Sequence, residues 1–229
     1  MLVCGKNVVR ELLRSEVKIK KCYISKDFSD DEISNNLYNL NVATVDKRVL
    51  DNMAEHNQGI VVEINDYKYA DLSDIISISE KPFIVMLDHL EDPHNFGAII
   101  RTCEAAGVDG IIIPKDRSVE VNATVMKTSS GALTNVKICM VSNLVDTMSK
   151  MKKDGFWFVG LDVDGTEYTK IDFNMPTCLV VGSEGFGLKP LTKKNCDIIG
   201  SIPMKGKINS LNASVAAGVM IYQVLNNRK

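Results

Sequence analysis

The sequence has no long hydrophobic run. None of the apolar stretches in its 229 residues approaches the roughly 20 residues that a membrane-spanning helix needs. The N-terminus also lacks the pattern of a signal peptide, because charged residues separate its short apolar pairs. We therefore expect a globular protein of the cytoplasm. Apolar residues make up 45% of the chain, which is enough for the core of one large or two modest domains.

The patterns typical of disulfide frameworks and metal sites are missing as well. The six cysteines are scattered without a Cys-x-x-Cys pair, and the three histidines do not cluster. Buried thiols explain such cysteines better than disulfides or zinc ligands. We therefore expect no metal site. The cysteines are Cys4, Cys22, Cys103, Cys139, Cys178 and Cys196.

The chain has no excess of positive charge, since 27 lysines and arginines stand against 29 aspartates and glutamates. Domains that bind phosphate backbones are usually strongly basic, so this balance argues mildly against nucleic-acid binding. Local clusters matter more than the sum. RNA contact and solvated helix faces explain the basic residues at 6–14 and 18–21 equally well. Two further basic clusters adjoin the motifs described below, which favours RNA contact: Lys115, Arg117 and Lys127, and Lys205 and Lys207.

The first part of the chain has the pattern of a small α/β unit. A polar stretch at residues 66–81 follows it. We predict a first domain at residues 1–68, a linker at 69–81 and a second domain at 82–229. The elements predicted for the first domain are helices at 7–13, 31–40 and 48–55, and strands at 20–25, 42–45 and 59–64.

The rest of the chain alternates apolar strands with helical patterns and shows no internal repeat. Strands that are apolar along their whole length, separated by helices, indicate a parallel sheet covered on both faces. The second domain is therefore predicted to be α/β. Its strands are predicted at 83–87, 110–113, 137–141, 156–162, 178–181 and 198–202.

The run from Ile202 to Gly218 joins a strand end, a Gly/Lys turn and the start of a helix. At a helix start the free backbone N–H groups and the helix dipole point outward, and Ser210 and Asn212 add side-chain donors and acceptors. Such a junction can bind a polar ligand. Taken alone, the pattern is also typical of a capped helix without a ligand.

Two further segments strengthen the ligand interpretation. In one, an apolar strand ends in an acidic turn and a helix begins near Asn95. In the other, a β-branched strand runs into the glycine-rich turn Gly182-Ser-Glu-Gly-Phe-Gly187, whose glycines allow the backbone to approach a ligand closely. Its order, G-x-x-G-x-G, differs from the dinucleotide-binding G-x-G-x-x-G, and no ribose-binding acid follows about 20 residues later. Binding of NAD is therefore a weak alternative.

Together the three segments resemble the three motifs of the SpoU/TrmH branch of the SPOUT class, the RNA ribose 2′-O-methyltransferases that use S-adenosylmethionine. The stretch at 114–132 is similar to that of the bacterial enzymes that methylate a guanosine of 23S rRNA. The N-terminal unit resembles the ribosomal-protein-like domain with which many of these enzymes bind RNA. The matching motifs are Asn95-x-Gly97-x-x-x-Arg101, Gly182-Ser-Glu184-Gly-x-Gly187, and Ile202-Pro-Met with Ser210-Leu-Asn212.

The resemblance implies a fold, a cofactor and a set of site residues. The second domain would form a trefoil knot, which nothing in the periodicity predicts, and S-adenosylmethionine would be the only cofactor. The expected catalytic residues are Asn95, Arg101, Glu184, Ser210 and Asn212. The expected cofactor-binding residues are Gly182, Gly187, Ile202, Met204 and Leu211. The expected RNA contacts are Lys115, Arg117, Lys127 and Lys205.

The reaction itself limits the role of Arg101. A 2′-hydroxyl that attacks the methyl group of a sulfonium must lose its proton and be held in line. A guanidinium is a poor general base, whereas its planar fork of donors suits a phosphate and a developing alkoxide. We therefore expect Arg101 to clamp the target nucleotide. The proton acceptor stays open among a phosphate oxygen, a water and Glu184.

Transfer RNA is the alternative substrate, and a non-catalytic RNA-binding protein related to ribosomal proteins is the alternative function. The complete motifs favour the enzyme. The last helical segment, residues 214–225, carries small and apolar residues on nearly every face, more than one sheet would bury. Since the resembled enzymes dimerise through this helix, we expect an obligate homodimer.

Overall fold

The computed structural model describes residues 1–15, 17–208 and 210–228. Their contacts divide the chain into two compact units. The first unit consists of Met1–Lys68 and Val121–Asn135, and the second of Tyr69–Glu120 and Val136–Lys229. The return of residues 121–135 to the first unit differs from the predicted division, in which the chain stayed in the second domain after residue 82.

The described residues form ten strands and nine α-helices. The strands are β1 Leu2–Cys4, β2 Ile19–Ser25, β3 Val42–Val45, β4 Ile60–Ile64, β5 Phe83–Asp88, β6 Gly110–Pro114, β7 Ile138–Val141, β8 Trp157–Glu167, β9 Thr177–Gly182 and β10 Ile198–Ser201. The helices are α1 Lys6–Arg14, α2 Asp31–Asn36, α3 Lys47–Met53, α4 Ser73–Ile76, α5 Pro93–Ala105, α6 Ala123–Thr128, α7 Leu144–Lys153, α8 Pro190–Asn195 and α9 Ala213–Asn227.

The first unit is built on a four-stranded sheet in the order β1-β4-β2-β3. Strand β2 pairs in parallel with β3 and antiparallel with β4. Helix α1 buries Val8, Val9 and Leu12, which recur at helical spacing on one face. Helix α6, from the returning segment, packs against β1.

The second unit contains the predicted parallel sheet, with six strands in the order β10-β8-β9-β5-β6-β7. Every residue of the three central strands β5, β6 and β9 is buried, which shows that both faces of the sheet are covered. The α/β prediction is thereby confirmed, and the trefoil knot stays a prediction.

The polar stretch at 69–81, which the sequence suggested as a linker, belongs by its contacts to the second unit. Its one short helix, α4, buries Ile75 completely. Gly110 leaves room for that side chain, because a Cβ on Gly110 would lie 2.6 Å from Ile75 Cγ2. The backbone N–H of Ala70 also donates to Ile138 O at 2.8 Å. Although residues 69–81 are mostly polar, the buried side chain of Ile75 attaches this segment to the second unit.

All six cysteines are free thiols, and all are buried except Cys196, which is half-buried. Burial raises the pKa of the Cys22 and Cys139 thiols to about 11. They therefore remain protonated and unreactive near neutral pH. No helix within the described residues is long and apolar enough to cross a membrane.

Candidate active site

The three sequence motifs meet in one hydrogen-bonded cluster of the second unit. Asn95 Nδ2 donates to Glu184 Oε1 at 2.6 Å, and Asn212 Nδ2 donates to the same oxygen at 2.5 Å. Asn212 Nδ2 also donates to Asn95 Oδ1 at 3.0 Å. We call these three residues the Asn–Glu–Asn cluster. Each motif contributes one of them.

Asn95 is held by the first turn of α5. The helix is capped by Asp92, whose carboxylate accepts the N–H of His94 at 2.9 Å, and Pro93 begins the helix, where its missing N–H costs nothing. Asp92 Oδ2 also accepts Asn95 Nδ2 at 2.9 Å. Because Asp92 is the cap, the side chain of Asn95 is available to join the other two motifs.

Asn212 has two tasks. Its Oδ1 caps α9 by accepting the N–H groups of Ser214 at 3.0 Å and Val215 at 3.3 Å, while its Nδ2 donates to Glu184 and Asn95. The start of α9 and the orientation of Glu184 are therefore fixed by the same side chain.

Glu184 accepts both amide donors on one oxygen, Oε1. Within the described part of the chain, no group donates a hydrogen bond to its second oxygen, Oε2. The Glu184 side chain lines the cavity described below. The cluster thus orients a carboxylate and leaves one of its oxygens available to a ligand or a proton.

Glu184 lies at the tip of a closed hairpin formed by residues 183–187. The N–H of Ser183 donates to Gly187 O at 3.1 Å, and the N–H of Gly187 donates to Ser183 O at 3.0 Å. A Cβ on Gly182 would lie 2.2 Å from the carbonyl carbon of Gly187, so only glycine fits there. Phe186, beside the tip, is 94% exposed. The glycines of the second motif therefore shape a tight backbone loop.

The base of this hairpin is tied to β5 by Asp88, which is fully buried. Asp88 Oδ2 accepts the N–H of Lys189 at 2.7 Å, and Asp88 Oδ1 lies 2.5 Å from His89 Nδ1. His89 itself has a positive φ of 59°. Asp88 could not be identified from the sequence, because an aspartate at a strand end carries no signal of its partner 101 positions away.

The hairpin forms part of a cavity of about 520 Å³ at the edge of the sheet. That volume lies within the usual range of small-molecule sites. The structure brings all five expected cofactor-binding residues to its lining, together with three of the expected catalytic residues. The lining residues from the two sets are Gly182, Gly187, Ile202, Met204 and Leu211, and Glu184, Ser210 and Asn212.

One wall of the cavity was not expected from the sequence. It is formed by Leu161, Asp162 and Val163, which follow the part of β8 that pairs with β9. These residues carry no motif, and the predicted strand simply ended at 162. Among the residues that line the cavity there is no lysine, arginine or histidine.

Arg101 lies outside the cavity lining, on the exposed face of α5. Within the described residues, its guanidinium makes no ion pair or hydrogen bond with another side chain. Helix α5 packs against α9, whose first residues contribute to the cavity. Arg101 is therefore an exposed cation on one of the two helices that support the Asn–Glu–Asn cluster.

The expected RNA contacts fall in different places. Lys115 and Arg117 are exposed in the loop after β6, and Lys205 is exposed in the segment before α9. Lys127 lies on α6 in the first unit, where its Nζ donates to Glu55 O at 3.3 Å. The four residues are all accessible, but they do not belong to one unit.

Several basic residues of the first unit have acidic or structural partners. Arg10 Nη2 lies 2.5 Å from Asp30 Oδ2, and Arg14 pairs with Glu32. Lys6 lies over the ring of Phe28. For the cluster at 6–14 these contacts favour the structural interpretation over RNA contact. Gln58 of the first unit has a structural partner as well, because its Oε1 accepts the N–H of Lys6 at 2.7 Å.

No group of three or more His, Cys, Asp or Glu side chains among the described residues is placed to hold a metal ion.

Comparison with known proteins agrees with the geometry. Residues 82–222 match the SpoU rRNA methylase family, and residues 2–70 match the family described as RNA 2′-O ribose methyltransferase substrate binding. A relative from Bacillus subtilis, named "Putative TrmH family tRNA/rRNA methyltransferase YacO", is 40% identical over 237 residues, which cover 99% of this chain and 95% of the relative.

Solved structures share the fold. The SpoU methyltransferase AviRb from Streptomyces viridochromogenes, in complex with AdoMet, has a TM-score of 0.86 at 24% identity, covering 100% of this chain and 90% of its own. An AdoMet-bound rRNA methyltransferase from Sinorhizobium meliloti has a TM-score of 0.83 at 25% identity, covering 98% and 86%. With three motifs converging on one cavity and a family match over most of its length, the chain belongs to the SpoU family of RNA methyltransferases.

Proposed function

We propose that the protein transfers a methyl group from S-adenosylmethionine to a ribose 2′-hydroxyl of structured RNA, with a guanosine of 23S rRNA as the expected target. The observation that carries the proposal is the convergence of Asn95, Glu184 and Asn212 at a cavity lined by the glycine hairpin. A non-catalytic RNA-binding protein has no need of this arrangement.

The cavity suits the methyl donor. Its apolar lining, including Leu161, Ile202 and Leu211, can receive an adenine ring, and the hairpin offers backbone groups at close range because Gly182 has no Cβ. The two AdoMet-bound structural neighbours support the same donor. S-adenosylmethionine supplies an electrophilic methyl group on a sulfonium. We assign Gly182, Gly187, Ile202, Met204 and Leu211 to holding it.

Other residues of the site position the nucleophile, the 2′-hydroxyl of the target ribose. Arg101 is exposed and its guanidinium has no side-chain partner within the described residues, so it can clamp a phosphate of the target nucleotide and stabilise the developing alkoxide. A guanidinium stays protonated in proteins and cannot take the proton of the hydroxyl. Glu184 accepts two amide donors and so fixes the position of Asn212 in the third motif. We assign Ser210, which lines the cavity, to hydrogen bonding in the site.

RNA is bound by both units in this proposal. The match of residues 2–70 to a substrate-binding family supports a role of the first unit in RNA recognition. In the second unit, Lys115, Arg117 and Lys205 are exposed and can contact phosphates, and Lys127 adds an exposed cation to the first unit. Because RNA of the translation machinery is the substrate, we propose that the enzyme works in the cytoplasm.

We further propose that the enzyme is a homodimer joined through α9. This helix buries Ala217, Met220 and Ile221 inside the second unit, yet leaves Val215 51% and Tyr222 44% exposed. Apolar side chains exposed on a helix next to a site are typical of a surface that a partner covers. A net charge of −2 also makes a single subunit a modest binder of RNA.

The substrate class can be tested in two steps. Calorimetric titration with S-adenosylmethionine and S-adenosylhomocysteine is expected to show binding of both, and a protein that binds neither would be an RNA-binding module. Mass-spectrometric mapping of total RNA from a deletion strain is then expected to show one missing 2′-O-methyl group in 23S rRNA. A missing group in transfer RNA would assign the alternative substrate, and a missing base methyl group would overturn ribose methylation.

A further inference from the structure

The wall of the cavity that the sequence did not predict is an excursion of strand β8. Along β10, Ile199 pairs with Gly160, but the next residue, Gly200, pairs with Thr166. Residues 161–165 therefore leave the ladder, and we call them the β8 excursion. Gly165 is the last residue of the β8 excursion. Only glycine fits there, because a Cβ would lie 2.4 Å from Ile199 O.

Asp162 is the most constrained side chain of the β8 excursion. Its Oδ2 lies 2.6 Å from Lys193 Nζ, on α8, and its Oδ1 accepts the N–H of Val163 at 2.7 Å. The side chain is 21% exposed, and Asp162 lines the cavity. Burial acts to raise the pKa of Asp162, but the hydrogen bonds from Lys193 and from the backbone outweigh it, and the pKa lies below its usual value.

Asp162 has hydrogen-bonding capacity left over and lines a cavity of about 520 Å³, large enough for a nucleoside. A carboxylate offers about four acceptor positions, and Lys193 Nζ and the N–H of Val163 occupy two of those of Asp162, which leaves an open position. Its charge is already matched by Lys193, so a neutral donor fits the open position better than a second cation. The other carboxylate of the lining, Glu184, accepts two amide donors on its Oε1 within the Asn–Glu–Asn cluster.

We propose that Asp162 binds the methyl donor by accepting a hydrogen bond from a ribose hydroxyl of its adenosine, with Lys193 holding the carboxylate in place. A carboxylate after a parallel strand is a chemically suitable acceptor for a ribose hydroxyl, as in dinucleotide-binding folds. This assignment rests on the proposed use of S-adenosylmethionine and adds a contact that none of the three motifs contains.

The test compares ligands that differ by one hydroxyl. Calorimetry with S-adenosylhomocysteine and its 2′-deoxy and 3′-deoxy analogues is expected to show that the wild type loses about tenfold in affinity for one analogue, the usual cost of leaving a charged acceptor unpaired. In Asp162→Ala, that analogue and S-adenosylhomocysteine should bind within about twofold of each other. Equal discrimination in both proteins would overturn the proposal, as would a wild type that does not discriminate.

Asp164→Ala is the matched control, because Asp164 is an exposed aspartate of the same excursion that does not line the cavity. It should discriminate as the wild type does. If Asp162→Ala does not fold, Asp162→Asn keeps a neutral acceptor and should show reduced discrimination.

Methylthioadenosine, which lacks the amino-acid end, should lose affinity in Asp162→Ala as S-adenosylhomocysteine does. Unchanged affinity would place Asp162 at the ammonium group instead and refute the ribose contact. Failure of the wild type to bind S-adenosylhomocysteine would refute the proposed function itself.

Discussion

Asp88 Oδ2 accepts the backbone N–H of Lys189 at 2.7 Å and so joins the end of β5 to the residue that follows the glycine hairpin. The carboxylate is fully buried, and its other oxygen lies against His89. The end of the strand before the first motif and the segment after the second motif are thus connected by one hydrogen bond. The position of the hairpin depends on this connection as well as on its own glycines.

Asp88→Ala is expected to weaken binding of S-adenosylhomocysteine by about tenfold or more, because the unpaired N–H of Lys189 costs about 1–3 kcal/mol and the hairpin base is released. Calorimetry measures the affinity. Asp109→Ala is the control: Asp109 Oδ2 accepts the N–H of Phe83 at 2.7 Å at the other end of β5. Asp109→Ala should lower the thermal stability, because it leaves the N–H of Phe83 unpaired, while the affinity for S-adenosylhomocysteine stays within about twofold. Equal affinity losses in both would mean general destabilisation.

Arg101→Ala is expected to abolish methyl transfer while the affinity for S-adenosylhomocysteine stays within a few-fold, because Arg101 does not line the cavity. Arg101→Lys should also fail, since an ammonium cannot reproduce the planar fork of donors. Transfer of tritiated methyl groups to RNA measures the first effect, and calorimetry the second. Near-normal turnover of either variant would contradict the assignment.

The substitutions Glu184→Gln and Glu184→Ala separate two roles. The glutamine can keep an oxygen facing Asn95 and Asn212, whereas alanine leaves both amides without their acceptor. We expect Glu184→Gln to retain methyl transfer within about tenfold and Glu184→Ala to lose a further tenfold or more, as expected for breaking bonds to a charged group. Single-turnover rates decide between them. Equal, complete loss in both variants would instead identify Glu184 as the proton acceptor.

Gly182→Val is expected to weaken donor binding more than RNA binding, because even its Cβ would lie 2.2 Å from the backbone of Gly187. Gly218→Ala is the control, since the nearest atom to its Cβ is Thr102 Cγ2 at 3.9 Å. In the interior of α9 an alanine should even add up to about 1 kcal/mol of stability. Titration with the donor and with RNA distinguishes the two affinities, and circular dichroism reports the fold. Parallel loss of both affinities in Gly182→Val would indicate misfolding.

Charged substitutions on α9 test the proposed dimer. Val215→Glu and Tyr222→Glu place a charge on side chains that are 51% and 44% exposed in one chain, so a monomer should tolerate both. If α9 is at the interface, light scattering should show monomers with little activity. Val49→Glu, on α3 of the first unit and 45% exposed, should leave a dimer. A stable, active dimer in both α9 variants would place the interface elsewhere.

Helices and strands that depend on the pattern of neighbouring residues could be predicted from the sequence. The strand at 42–45 coincides with β3, and the predicted helix at 7–13 lies within α1. Helix α2 ends at Asn36 rather than at 40, where the backbone turns before β3. The β8 excursion could not be predicted, because its cause is the pairing of Gly200 with Thr166 in a neighbouring strand. The motifs located the cluster, but Asp88 and Asp162 act through partners distant in the sequence.

Because Asn212 both caps α9 and holds Glu184, the cluster can form only late in the synthesis of the chain. Ribosomal synthesis delivers Asn95 first, Glu184 89 positions later and Asn212 another 28 positions after that. Until the third residue emerges, Glu184 lacks its second amide donor and α9 lacks its cap. A nascent chain that stalls before this point therefore has no assembled cluster, so only a polypeptide translated through the third motif can become a competent methyltransferase.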